Sequence, residues 1–172
     1  DDNSTDGHQG YHIGLSAEVV EIHPPDNWTK NTSCTSSCQM NGVTYGNDIF
    51  VAVGDDGKTY NSTDNGTSWN YVYSEVNKDF NDVAYGNNLF VAAGKSGKIF
   101  SSTDGTSWNL VNNPNNGGFR FNGISFVNNT FVAVANTGNY VIGEPSVNAG
   151  SWSQGNKGNE NLNGATFGNN IY

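Results

Sequence analysis

Positive charge is what this chain lacks most. Its 172 residues hold six Lys and a single Arg, Arg120, against 16 acidic residues, for a formal net charge of −9. A nucleic-acid surface needs a basic face, and there is too little Lys and Arg to build one. Charge of either sign is sparse: charged residues make up 13% of the chain, about half the usual share. No apolar run approaches the roughly 18 residues of a spanning helix, so no membrane insertion is expected. The chain opens at Asp1 without Met or a recognisable signal peptide, which reads as a processed form or a fragment. Cysteine is limited to Cys34 and Cys38 in "TSCTSSC". That spacing in a Ser/Thr-rich loop suits a small local disulfide, with free or intermolecular thiols as the alternative. Zinc would need a second cluster of ligands, and there is none.

What fills the space is uncharged polarity. There are 29 Asn, 29 Ser plus Thr, and 22 Gly. Asn, Ser and Thr compete with the helical backbone and Gly loosens it, so turns and short strands are favoured over long helices.

A repeat organises the chain. "MNGVTYGNDIFVAVGDDGKTYNSTDNGTSWN" begins at Met40, "FNDVAYGNNLFVAAGKSGKIFSSTDGTSWN" at Phe80 and "FNGISFVNNTFVAVANTGNYVIGEPSVNAGSW" at Phe121, and "LNGATFGNNIY" starts a fourth copy at Leu162. The anchors Asn41, Asn81, Asn122 and Asn163 recur every 40 or 41 residues. Each copy divides into four short apolar segments separated by Gly/Asn turns, the pattern of antiparallel strands. Four strands in roughly 40 residues is one propeller blade. The expected fold is an all-β propeller in one domain, 1–172. A partial blade and the Cys loop occupy 1–39, whole blades 40–79, 80–120 and 121–161, and a partial blade 162–172. "YHIGLS" at 11–16 matches "YVIGEP" at 140–145, and Trp28 stands 41 residues before Trp69. The chain thus holds four blades' worth of strands. The small Val-Ala-Val and Val-Ala-Ala segments are expected to be inner strands crowded near the axis.

The phrases "STDNGTSW" at 62–69 and "STDGTSW" at 102–108 resemble the Asp-box, or BNR, repeat of sialidase-like propellers. Ser62, Asp64, Gly66, Ser68 and Trp69 match in full. Ser102, Asp104, Gly105, Ser107 and Trp108 match with one residue deleted. The third copy has Gly143 and Pro145 where Ser and Asp would stand. The resemblance implies a structural corner on the outside of the ring, away from any ligand pocket. The chemistry agrees: an Asp carboxylate accepts N–H groups of its own turn, Gly supplies a positive φ, and Trp buries a large ring.

Catalysis is not expected. Sialidases of the resembling family grip substrate with three arginines, and this chain has one. Glu18, Glu21, Glu75, Glu144 and Glu160 share no blade position that would pair them for glycoside hydrolysis. His8 and His12 lie among glycines, and with His23 they form no metal pattern. Asp2, Ser4 and Asp6 begin something like a calcium loop, but Ile13 stands where its closing Glu belongs. No cofactor and no metal are expected.

Sequons occur at Asn3, Asn27, Asn31, Asn61, Asn65 and Asn128, where chance alone supplies roughly five in so Asn-rich a chain. Asn61 and Asn65 are expected at an exposed turn. Two functions compete. One is an extracellular, N-glycosylated structural protein that self-assembles by strand or blade complementation into a fibre or coat, since the fourth copy stops at Tyr172 before its Val-Ala-Val and bare strand edges invite pairing. A closed four-bladed ring is the other way to satisfy those edges. The second function is a lectin-like propeller that binds glycans through repeated Trp platforms.

Overall fold

A computed structural model describes residues 39–73, 78–114, 118–144 and 151–166, all within one compact unit that spans 31–172. They form three four-stranded antiparallel sheets. The first contains β1 (Met40–Gly46), β2 (Ile49–Gly54), β3 (Thr59–Ser62) and β4 (Asn70–Tyr73). The second contains β5 (Phe80–Gly86), β6 (Leu89–Gly94), β7 (Ile99–Ser102) and β8 (Asn109–Val111). The third contains β9 (Phe121–Val127), β10 (Thr130–Ala135), β11 (Asn139–Gly143) and β12 (Trp152–Asn156). Strand order follows chain order in every sheet, as in the blades of a propeller.

Asparagine makes the tight turns. The first hairpin of each sheet closes through Asn47-Asp48, Asn87-Asn88 or Asn128-Asn129, and all six residues have positive φ. That is the primed two-residue turn, which matches the twist of the flanking strands and which Asn tolerates better than other non-glycine residues. The second hairpin repeats the device at Asp56-Gly57, Ser96-Gly97 and Thr137-Gly138. Thr137 is the strained member, since a β-branched residue resists positive φ. Its carbonyl accepts from Asn139 Nδ2 (3.2 Å) and Asn156 Nδ2 (2.8 Å), and its N–H donates to Asn161 Oδ1 (3.1 Å). These bonds hold the turn against that strain.

The sheets stack face to face. Alternate residues of β2, Val51 and Val53, are buried with Phe80, Val83, Phe90 and Ala92 of the second sheet. Leu89, Val91 and Ala93 on the opposite face of β6 are buried with Phe121, Ile124, Phe131 and Ala133 of the third. Val132 and Val134 turn to Leu162 and Ala165, where the fourth copy begins. Phe80, Phe90, Phe121 and Phe131 have essentially no exposed surface, each worth roughly 1.5–3 kcal/mol. The corresponding face of the first sheet, with Met40, Val43 and Tyr45, is exposed. The Val-Ala-Val segments are therefore second strands rather than the innermost ones. Their small side chains let two sheets approach on both faces at once, which periodicity alone could not separate from crowding at an axis.

The innermost strands are β1, β5 and β9, through which neighbouring sheets make their most extensive approach. The anchoring asparagines explain how. Asn41 Nδ2 donates to Phe80 O at 2.8 Å, Asn81 Nδ2 to Phe121 O, and Asn122 Nδ2 to Leu162 O at 2.9 Å. One side-chain amide per copy thus ties each inner strand to the first residue of the next.

The second Asp-box corner is wedged against the first sheet. Gly105 has φ +68°, and a Cβ there would lie 2.7 Å from Ile49 Cδ1 and 2.8 Å from Val51 Cγ2. Gly66 has φ +83°, and the nearest atom to its added Cβ is 3.9 Å away. Alanine at either position meets the backbone cost of positive φ, about 1 kcal/mol. Only Gly105→Ala adds overpacking, about 1–3 kcal/mol more. Urea midpoints of the two variants should differ in that order; equal midpoints would mean the corner is not wedged between sheets.

Candidate functional site

Along the inner strands lies an open, shallow cleft of about 490 Å³, within the size range of ligand pockets. Its walls come from Thr44 of β1, residues 83–85 of β5, residues 124–128 in and after β9, and Ala165 with Thr166. Thr44, Ala84, Ser125 and Thr166 occupy one equivalent position in the four copies. The repeat therefore places one small side chain per copy around the same space. Hydroxyl groups alternate there with apolar surface, and no lining residue is charged.

The rim is built from the asparagine hairpins. Tyr45 Oη donates to Asp48 Oδ1 and Tyr85 Oη to Asn88 Oδ1, both at 3.3 Å. Asn87 Nδ2 donates to Asn129 Oδ1 at 2.6 Å and links two hairpin tips. Slight desolvation of the exposed Tyr45 hydroxyl, followed by the neighbouring Asp48 carboxylate and its hydrogen bond, raises the tyrosine above its ordinary value. Ser125 Oγ donates to Ala165 O, which fixes that wall to the fourth copy.

The Asp-box residues are spent within their own corners. Asp64 accepts from Ser68 Oγ (2.6 Å), Ser68 N (2.9 Å) and Ser62 Oγ (2.8 Å). Those bonds, the Ser68 hydroxyl first, lower its pKa to about 2. Asp104 accepts from Ser107 N and Thr106 N, both at 2.8 Å, and from Ser102 Oγ at 3.0 Å. Partial burial pushes Asp104 up, but the two N–H groups and the hydroxyls outweigh it and hold the carboxyl well below its usual range. Gly66 N donates to Ser62 Oγ and Gly105 N to Ser102 Oγ, which closes each turn. The one-residue deletion has a visible consequence. Trp69 Nε1 donates to Gly66 O at 3.0 Å, while Trp108 Nε1 is buried without an acceptor. Trp108 packs on the apolar cluster between the first and second sheets, and Trp152 on that between the second and third. The third copy dispenses with the box by laying Trp152 over Gly143, whose added Cβ would fall inside the indole ring.

Of the sequons, Asn65 and Asn128 are exposed. Asn61 is not at an exposed turn as expected: it lies inside β3, paired opposite Val51 and Asn70, and is 8% exposed. Alternation along a short strand carries it inward. Asn3, Asn27, Asn31, Cys34, Cys38 and the three histidines lie outside the described residues. Among the described residues no three His, Cys, Asp or Glu side chains gather as metal ligands would.

Sequence reasoning passed over the cleft and Asp82. Aligning the copies column by column would have found both. One column reads Thr44, Ala84, Ser125, Thr166, and another reads Gly42, Asp82, Gly123, Gly164.

Two solved structures are similar in fold. One is titled "YCF48 bound to D1 peptide", with TM-score 0.55 and 21% identity, covering 74% of this chain and 42% of that one. The other is YCF48 from Cyanidioschyzon merolae, with TM-score 0.58 and 18% identity, covering 73% of this chain and 39% of that one. This chain spans about two fifths of their length, and at such identity the likeness shows the fold alone. No curated protein matches the chain significantly. The family model for the DUF6242 beta propeller domain matches residues 27–166, most of the chain and all three sheets, and the chain belongs to that family.

Proposed function

We propose that this propeller is a non-catalytic binding module whose axial cleft holds a segment of a partner polypeptide. The observation that carries this reading is the cleft itself: an uncharged space built from one repeated position of the inner strands, with the Thr44 and Thr166 hydroxyls to meet backbone amides and the partly exposed rings of Tyr85 and Phe126 to meet apolar side chains. The carboxylates Asp64 and Asp104 are committed to turn N–H and hydroxyl groups, which leaves them poorly placed for general acid–base work. A YCF48 structure holding a D1 peptide is an instance of a related fold with a peptide bound, and it supports the choice of ligand class.

The Asp-box resemblance enters this reading as scaffolding, since each box closes its own corner. The lectin and fibre readings draw less support. A lectin platform needs its indoles open to solvent, and Trp69, Trp108 and Trp152 are all half-buried. Head-to-tail growth needs a bare face beyond the third sheet, and Val132 and Val134 are already covered by Leu162 and Ala165.

Panning a phage-displayed library of linear peptides tests the proposal. Wild-type protein should enrich a peptide family, and Thr44→Trp, which fills the cleft from one wall, should not. The variant's circular dichroism should match wild type. Equal enrichment on both proteins, or none on either, would sink the reading.

A further inference from the structure

Asp82 breaks the repeat in a column otherwise held by glycine. Gly42, Gly123 and Gly164 stand at the same position in the other copies. A Cβ at Gly42 would come within 2.9 Å of both Asp82 Cα and Asp82 Oδ1. The β-bulge between Phe80 and Asp82 offsets β5 from β6 at this point. The carboxylate uses the space to span two sheets: Oδ1 accepts from Val83 N at 2.8 Å, and Oδ2 accepts from Ile124 N of the next sheet at 2.9 Å. Val83 and Ile124 are both walls of the cleft.

We infer that Asp82 is a pH-sensitive brace that fixes the spacing of β5 and β9, and with it the width of the axial cleft. An ionised carboxylate can accept both N–H groups. A protonated one points an O–H at one of them and gives up that bond. The packed elements offer no charge to intervene at this level, since β1 presents Asn41, Gly42 and Val43 and β9 presents Asn122, Gly123 and Ile124. Two charged groups that flank these strands, Asp79 and Arg120, are engaged elsewhere. Asp79 pairs with Lys95 at 3.0 Å, and Arg120 Nη2 donates to Asn81 Oδ1 at 3.0 Å. Burial raises the Asp82 pKa and the two N–H groups only partly offset it, so Asp82 takes up its proton at a higher pH than an ordinary Asp.

The sign for global stability runs opposite to the local effect. Because the folded value is raised, the stability contributed by Asp82 is complete below the unfolded value near 3.8 and is lost as pH rises through the folded value. On acidification the fold gains from Asp82 while the brace lets go. A carboxylate that merely filled space would not separate the two readouts.

The inference rests on the binding reading only for its consequence, because its test needs no ligand. Amide exchange is followed by NMR from pH 7 down to pH 3.5, below the ordinary carboxylate value of 3.8, and corrected for intrinsic rates. In wild type the protection of the Ile124 amide should fall about fivefold with acidification, the worth of one hydrogen bond, while the amides of β10 hold steady. Asp82→Asn and Asp82→Gly should show low, pH-independent protection at Ile124. Asp82→Gly restores the residue of the other three copies, and the wild-type titration stands without either variant. A flat Ile124 profile in wild type, or the same fall in Asp82→Asn, overturns the brace, whatever the peptide library returns.

Discussion

Gly86→Ala should lower the thermal midpoint more than any other single-methyl addition on the inner strands. Gly86 ends β5 where the ring of Phe126 arrives from the next sheet, and an added Cβ would sit 2.1–2.4 Å from the ring atoms Cγ, Cδ1 and Cδ2. No real Cβ tolerates that, so either the ring or the sheet must shift. The ring has little room, because Phe126 packs with its centroid 4.9 Å from that of Phe131, tilted by 56°, and Phe131 is fully buried. Overpacking of this kind costs about 3 kcal/mol, or roughly 6–12 °C for a chain of this size. The first copy repeats the geometry: a Cβ added at Gly46 would lie 2.2 Å from the Tyr85 ring, and Tyr85 packs at 4.6 Å on Phe90, tilted by 47°. In the third copy Val127 takes that position and is buried with Leu162 and Ala165, so the nesting of ring on glycine belongs to the first two junctions. Calorimetry of Gly86→Ala, Phe126→Leu and the double variant decides the matter. The two changes should be strongly non-additive, since shortening the ring removes what the methyl strikes. Strict additivity would mean the glycine is not there for the ring.

That junction marks the boundary between what the sequence could and could not reveal. The 40-residue spacing, the strand alternation and the turn residues depend on neighbours along the chain, so they were readable, and so was the self-contained bonding of Ser62 with Asp64. What joins one copy to the next depends on residues about 40 positions apart meeting in space. Asn41, Asn81 and Asn122 stood out by spacing, yet nothing local could say that each amide reaches a carbonyl of the following copy. Gly46 and Gly86 read as turn glycines, although their work is to leave room for a ring. Asn61 read as part of a polar turn because a strand of four residues gives alternation too few positions to show. Asp82 drew no notice because the two N–H groups that donate to it come from different sheets. The cleft belongs to the same class: Thr44 and Ser125 are unremarkable until the inner strands are gathered around one space.

Loss of stability in acid should be governed by the box aspartates, and Asp104→Asn should blunt it. Asp104 and Asp64 both titrate below the ordinary carboxylate value of 3.8 because turn N–H and hydroxyl groups stabilise their charge. A lowered folded value means that the stabilisation is complete above the unfolded value and is lost as pH falls through the folded one. For Asp64 that window runs from 3.8 to about 2, and for Asp104 it extends lower. Asp79, lowered by its hydrogen bond with Lys95, adds in the same direction. Asp82 acts oppositely and higher, so urea midpoints should be level or rise slightly from neutral pH toward the ordinary carboxylate range, then drop steeply. At pH 7 Asp104→Asn keeps the side chain's shape and an Oδ1 in the place where both N–H groups donate, but loses the charge that strengthens those two bonds. By comparison with capping residues the cost is about 1–2 kcal/mol, discounted because the corner is solvent-exposed. At pH 3 wild type has lost part of the same stabilisation, so the gap between the proteins should narrow. A gap that stays constant from pH 7 to pH 3 would show that the Asp104 charge does not hold the corner closed, and the acid limb would then have to be assigned to other carboxylates.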